Sequence, residues 1–230
     1  MTDVTVYGFQ RSTFVNIVRL VLQHKAIPFA FHDLEPEMGR PSHLALHPFD
    51  RVPILKHGDF TLYETSAIVA YLEDAFPTPR LQPSDVRERA RMNQWIGVVN
   101  AYVYPYMIYH ISHERLTFPE LGIASDDKVV AYAVPKVATA LGVLEQALGH
   151  GKPFLLGGEL SLADFYLLPA TYAFSLTPEG KTMLPDYPAV RRWFAGMEEL
   201  PTVRTFRAGL PPRAPIEHAR KWATHHRPKV

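Results

Sequence analysis

From Arg51 to Leu72 the chain reads R-V-P-I-L-K-H-G-D-F-T-L-Y-E-T-S-A-I-V-A-Y-L, and few folds accept that order of signals. Two short runs, Ile54-Leu55 and Thr61-Leu62-Tyr63, flank the Gly-containing turn His57-Gly58-Asp59, the pattern of a β-hairpin. Glu64-Thr65-Ser66 then leads into an apolar-periodic helix that ends before Pro77. Pro53 begins the first strand, where it cannot donate a ladder hydrogen bond. Only X-Pro bonds adopt cis cheaply, so Val52-Pro53 is a candidate cis bond. Such a turn leaves the N–H and C=O of Val52 facing outward, a docking edge for an extended peptide. The helix that opens at Thr65 and Ser66 favours a carboxylate at its N-terminus. Together these features describe a site for a small peptide with an anionic end.

Val4 and Val6 alternate in a short strand that closes at Gly8, followed by a helical pattern over 16–25 and a second strand over 29–34. Residues 36–41 read as loop, and Ser42 caps a short helix to Leu46. The order β-α-β-(α)-β-β-α is a thioredoxin-like layout, a mixed sheet covered by helices. Pro77, Pro79 and Pro83 crowd a short linker. Beyond it the pattern changes to long helices over 87–112 with a bend at Pro105, 126–149 with Pro135 as a kink or late start, 161–175 and 189–199. The expected architecture is an α/β thioredoxin-like N-terminal domain over 1–78 that binds the peptide. An all-α domain follows over 86–210, then a basic tail over 211–230 with a short helical pattern at 216–225.

At these residues the chain resembles the glutathione S-transferase superfamily. The match runs as V-P-I-L at 52–55, E-T-S-A-I at 64–68, Y-G-x-x-x-S-T at 7–13, N-Q-W at 93–95 and S-L-A-D at 161–164, in order and over most of the chain. The Y-G-x-x-x-S-T match at 7–13 is similar to the serine-type members, the phi-like ones in particular. The resemblance implies glutathione as co-substrate, held as a thiolate for attack on an apolar electrophile or a hydroperoxide. A glutathione-dependent disulfide reductase and a binding module with little turnover are the alternatives on the same scaffold.

The chemistry sets a definite demand. A free thiol with a pKa near ~8.5 is only slightly ionised at neutral pH. Lowering that value by two units takes about 2.7 kcal/mol of preferential thiolate stabilisation, and one hydroxyl donating to a charged acceptor supplies about 1.5–3 kcal/mol. Ser12, at the start of the first helix, is the leading donor by the resemblance; taken from the residues alone, Ser12 or Thr13 caps the helix. Thr13 shares or takes the role in one alternative. Tyr7, at the end of the first strand where tyrosine-type members carry their hydroxyl, is the rival, with packing as its ordinary explanation. Asn16 either contacts the sulfur, as in relatives resembling the nu-type reductases, or caps the helix.

For the peptide, the resemblance assigns Glu64 to the ligand's amino group, Thr65 and Ser66 at the helix start to the γ-glutamyl carboxylate, and Val52-Pro53 to the peptide backbone. Thr65 replaces a commoner Ser and keeps the hydroxyl. Arg51 departs from the Gln often found before Val-Pro, yet an Arg can still bind the glycyl carboxylate. The phi-like His-Lys pair is absent at Met38-Gly39, where Arg40 is the substitute. Tyr102, Tyr106, Tyr109 and His113 fall at i, i+4, i+7 and i+11, one face of an α-helix. By resemblance that face lines the electrophile pocket; core packing or a subunit contact is the other explanation. Ser161 with Asp164 reads as a capping box that stabilises a buried helix.

Composition narrows the partners. Zero cysteines exclude disulfides, thiolate zinc sites and a cysteine nucleophile, so any thiol chemistry must use the ligand's own sulfur. His110-x-x-His113 and His225-His226 lack a carboxylate cluster or third ligand, and no metal is expected. A net charge of +1 gives no general attraction to nucleic acid or membrane. No apolar run approaches the ~20 residues that span a bilayer, and the opening M-T-D-V-T-V-Y has no signal-peptide pattern, so the expected location is the cytoplasm. The resemblance further implies a two-fold homodimer through 64–68 and the helix beginning near Arg87. Phe49 would insert into a pocket of the partner or fold back on its own domain.

Overall fold

The structure, a computed structural model, describes residues 3–149, 151–211 and 217–225. They form two compact units: one holds the chain up to Leu81 together with a helix at Pro201–Ala208, and the other runs from Gln82 to Glu199 and includes Ala219–His225.

The first unit is built on a four-stranded mixed sheet of β1 (Val4–Gly8), β2 (Ala30–Asp33), β3 (Ile54–His57) and β4 (Phe60–Tyr63) in the order β2-β1-β3-β4. β1 runs parallel to β2 and antiparallel to β3, and β3 pairs antiparallel with β4. The turn joining β3 to β4 contains Gly58 at φ 61°, the left-handed region that glycine enters without steric cost. Helix α1 (Thr13–His24) packs against β1 and α3 (Thr65–Ala75), with α2 (Pro41–Leu44) between β2 and β3 in sequence. Val6, Val18, Leu55, Ile68 and Leu72 are fully buried. Gly8 is required where β1 meets α1, because a Cβ there would overlap the Val15 side chain. The α2 start differs from expectation. Arg40 is the residue before its first turn, and the Ser42 hydroxyl turns to Glu37 rather than capping the helix.

A buried ion pair fixes the end of this unit. Lys25 Nζ lies 2.7 Å from Glu73 Oε1 and also donates to the carbonyls of Phe76 at 2.8 Å and Pro79 at 2.7 Å. Glu73 Oε2 accepts the Leu81 N–H at 3.1 Å. Lys25 Nζ thus meets three oxygens and Glu73 keeps a backbone donor, which offsets part of their desolvation.

The second unit comprises α4 (Val86–Val98), α5 (Phe118–Glu120), α6 (Asp127–Leu148), α7 (Leu162–Ser175), α8 (Pro178–Met183), α9 (Pro188–Glu199) and, past the first unit's α10 (Pro201–Ala208), α11 (Ala219–His225). Asp164 organises it. Its carboxylate accepts the Leu155 N–H at 2.9 Å, the Ser161 N–H at 3.0 Å, the Ser161 hydroxyl at 2.8 Å and Trp193 Nε1–H at 3.0 Å. The capping box is present, and burial pushes the Asp164 carboxyl above its usual range while those four donors oppose the shift. Pro135 lies inside α6.

Two expectations change. The expected helical domain over 86–210 loses its last helix, because α10 packs on α1. The Arg19 guanidinium lies over the Phe206 ring at 5.1 Å and the Phe31 ring at 4.8 Å, and Thr202 Oγ1 is 3.2 Å from His24. The expected long α-helix over 87–112 becomes π-helical over Val99–Val103 and Pro105–Thr117. Pro105 begins the second of these stretches. Part of the tail over 211–230, including Ile216, lies outside the described residues.

Candidate functional site

Sheet register brings the motif segments to one place. Tyr7 pairs with Ile54, and Ile54 pairs with Tyr63, so the chain just past β1, just before β3 and just past β4 emerges at the same end of the sheet. Gly8 also pairs with Asp33, so the segment leading to Arg40 leaves β2 at that end. The loop carrying Ser12, the Val52-Pro53 step, Glu64-Thr65 and the Met38–Arg40 turn are therefore neighbours by topology. Both α1 and α3 point their N-termini there, and two helix N-termini favour negative charge.

Ser12 caps α1, its Oγ accepting the Val15 N–H at 3.4 Å. That bond uses a lone pair and leaves the hydroxyl proton, which has no acceptor among the described residues, available to donate. Capping and donation to a sulfur are therefore compatible roles for one hydroxyl. Thr13 begins the helix and is buried, and Asn16 is buried with its Oδ1 accepting from Arg19 at 3.3 Å. Tyr7 is on the sheet face away from α1, packed on the cluster that Val52 also joins. Strand side chains alternate faces; Gly8 faces α1, whereas the Tyr7 ring packs with Leu34, Met38 and Ile54, 4.9 Å from His32 and with Lys56 Nζ over its face at 5.4 Å.

Val52-Pro53 is cis. Among the described residues, no hydrogen bond uses the N–H or C=O of Val52. Glu64 is exposed and sits at φ 71° and ψ 116°, an unusual conformation for a residue with a Cβ, and its side chain makes no capping bond to α3. The first amides of α3, at Thr65, Ser66 and Ala67, thus have neither a side-chain cap nor an intrahelical acceptor. Thr65 is buried and Ser66 exposed; Arg40 is exposed and Arg51 half-buried. An open backbone edge, an uncapped helix N-terminus, an outward carboxylate and two arginines together match an extended zwitterionic peptide.

Two histidines beneath this end were not singled out in the sequence, although their i, i+4 spacing between Pro41 and Pro48 marks one short helical face. His43 is fully buried, accepting the Gly39 N–H on Nδ1 at 3.1 Å and donating from Nε2 to the Arg51 carbonyl at 2.9 Å. His47 is 2% exposed and stacks at a tilt on Tyr63, centroids 4.6 Å apart. Burial, reinforced by His43 and Arg51, lowers its pKa to about 4.

In the second unit the expected single face of Tyr102, Tyr106, Tyr109 and His113 is divided, because a π-helix does not repeat every 3.6 residues. Tyr106 joins His110 and Tyr132, with Lys136 Nζ 5.6 Å from its ring, while Tyr109 packs between Tyr104 and His113. Tyr102 is 61% exposed. His110 Nδ1 is 2.8 Å from the Pro105 carbonyl. Among the described residues no cluster of three metal-ligating side chains occurs, and no helix is long and apolar enough to cross a membrane. The side chains of the His225-His226 pair lie outside the described residues.

Residues 6–80 match the family model of the glutathione S-transferase N-terminal domain, and residues 99–196 that of the C-terminal domain. The chain is 33% identical over 191 residues to glutathione S-transferase 1 of Zea mays, covering 83% of this chain and 87% of that one. It is 30% identical to a probable glutathione S-transferase of Oryza sativa subsp. japonica, over 93% of this chain and 99% of the relative. Among solved structures, glutathione S-transferase I from mais in complex with an atrazine glutathione conjugate superposes with a TM-score of 0.81 at 29% identity, over 92% of this chain and all of that one.

Proposed function

The chain belongs to the glutathione S-transferase family as a phi-like member and is a glutathione transferase, and we propose that Ser12 is the hydroxyl that holds the glutathione sulfur as a thiolate. The observation that carries this is the Ser12 hydroxyl at the α1 N-terminus, on the sheet end that also holds Val52 and the uncapped α3. The proton of Ser12 points the thiolate reading toward this residue, while the packing of Tyr7 on the other sheet face weighs against the tyrosine; Thr13 and Asn16 are flanking groups.

The remaining assignments follow the charges of the ligand. The Val52 N–H and C=O bind the peptide backbone beside Pro53, Glu64 takes the amino group, and the amides and hydroxyls of Thr65 and Ser66 take the γ-glutamyl carboxylate. Arg51, with Arg40, takes the glycyl carboxylate. We assign Tyr102, Tyr106, Tyr109 and His113 to an apolar electrophile or hydroperoxide. A cytoplasmic homodimer with a detoxifying role completes the reading. The support for the dimer is Phe49, which is 67% exposed, its ring centroid 6.3 Å from those of His47 and Tyr63.

Catalysis in this scheme is electrostatic. The serine hydroxyl and the α1 dipole favour the anion, the thiol proton passing to solvent before the electrophile arrives. The thiolate then attacks the electrophilic carbon as its leaving group departs, or a hydroperoxide oxygen as the O–O bond breaks and the alcohol leaves. Thiolate ultraviolet absorbance of bound glutathione, followed against pH, tests it. Ser12→Ala is expected to raise the bound thiol pKa by about one to two units with little change in affinity. An unchanged titration in Ser12→Ala, with a shifted one in Tyr7→Phe, would move the role to Tyr7.

A further inference from the structure

We propose that His43 is a positioning residue of the glutathione site: it aims the Val52 docking amide and fixes the turn before Arg40, acting through the backbone without touching the ligand. The inference rests on the assignment of Val52 to the peptide backbone given above.

The geometry is specific. Arg51 C=O and Val52 N–H are the two ends of one planar peptide unit, and in a trans peptide they point in opposite directions. Among the described residues only the bonds before Pro53 and Pro79 are cis, so the Arg51–Val52 unit is trans. His43 Nε2–H holds the Arg51 oxygen inward at 2.9 Å, and the Val52 N–H is thereby turned outward, where no described residue accepts it. The other ring nitrogen accepts the Gly39 N–H at 3.1 Å, in a turn where Gly39 has φ 74° and Arg40 follows. One imidazole thus ties together two segments that carry proposed ligand groups, and its tautomer is set by the pair: Nδ1 accepts, Nε2 donates.

The Asp50 carboxylate also stands 3.2 Å from Nδ1. A nitrogen that accepts the Gly39 N–H carries no proton to give, so Asp50 Oδ1 makes no hydrogen bond there, in agreement with its lack of a partner. His43 is fully buried, so neither of its bonds can be replaced by water when the ring is removed.

The test separates positioning from packing. His43→Phe fills the space and makes neither bond. Gln places an amide nitrogen close to where imidazole Nε2 lies and restores the donor to Arg51. In the full-length protein, His43→Phe is expected to raise the glutathione KM about tenfold while kcat stays within about twofold, because the thiolate is made at Ser12. His43→Gln should recover most of that loss. A folded His43→Phe variant with wild-type KM overturns the proposal and leaves His43 as a core residue, whatever its melting temperature. Should the phenylalanine variant fail to fold, His43→Gln and His43→Asn, which keep one bond each, must differ; equal glutathione KM values also overturn it. Calorimetric titration of the wild type with glutathione keeps the two readings apart. Absence of binding there removes the site assignment and this proposal together, whereas normal wild-type binding with an unmoved His43→Phe removes only this one.

Discussion

His47 makes the fold sensitive to acid in a way that can be calculated. Its ring is 2% exposed, its Nδ1 has no hydrogen-bond partner, and its pKa falls from 6.5 to about 4, burial being the largest cause, followed by His43 and Arg51, with Asp50 opposing. The unfolded chain takes up this proton at the ordinary value and the folded chain resists it. Between pH 6.5 and about 4 unfolding is therefore coupled to proton uptake, and stability falls as pH falls. The full gap bounds the effect at about 3 kcal/mol; the part expressed on going from pH 7 to pH ~4.5 is about 2 kcal/mol. Phenylalanine at 47 keeps the ring contact with Tyr63 and removes the titration. Urea unfolding of wild type and His47→Phe at both pH values, at one protein concentration and ionic strength, isolates His47 together with its coupling to His43 and Asp50, because the titrating groups that His47 does not touch cancel in the difference. The wild type should lose about 2 kcal/mol more than the variant on acidification. Parallel losses in the two proteins would refute the claim that this histidine is held neutral.

Two further outcomes follow from the same site. Glu64→Gly removes the side chain proposed to bind the amino group and also relaxes a positive-φ residue, so glutathione KM should rise more than kcat falls while chemical stability increases by about 1 kcal/mol. Lower stability, or a collapse of kcat at constant KM, would contradict the assignment. Phe49→Ala should shift the proposed dimer toward monomer at low micromolar concentration by light scattering, since a two-fold interface loses two contacts per substitution. A monomeric wild type would reject the dimer, and a variant that stays dimeric would reject only the role of Phe49.

What was legible in the amino-acid order is what neighbours along the chain decide. The hairpin around Gly58, the helix after Glu64, the capping box of Ser161 with Asp164 and the break at Pro77 each depend on residues a few positions apart, and the mixed sheet with its helical partner unit follows from their order. The segments proposed to bind the peptide were legible for the same reason, because an X-Pro step before a strand and a polar helix start are local signals. Tertiary structure decided the rest. Alternation on β1 turned Tyr7 away from the face that α1 covers, and only the packed sheet shows which face that is. The π-helical turn around Pro105 divided an aromatic row that α-helical spacing would have aligned. Helix α10 joined the first unit because Phe206 found Arg19, far away in sequence. His43 acquired its two partners from a turn and a strand entry that come together only when the sheet closes. A hydrogen bond between distant segments leaves no periodicity in the chain, so its two ends carry no mark of each other until the fold has brought them within reach.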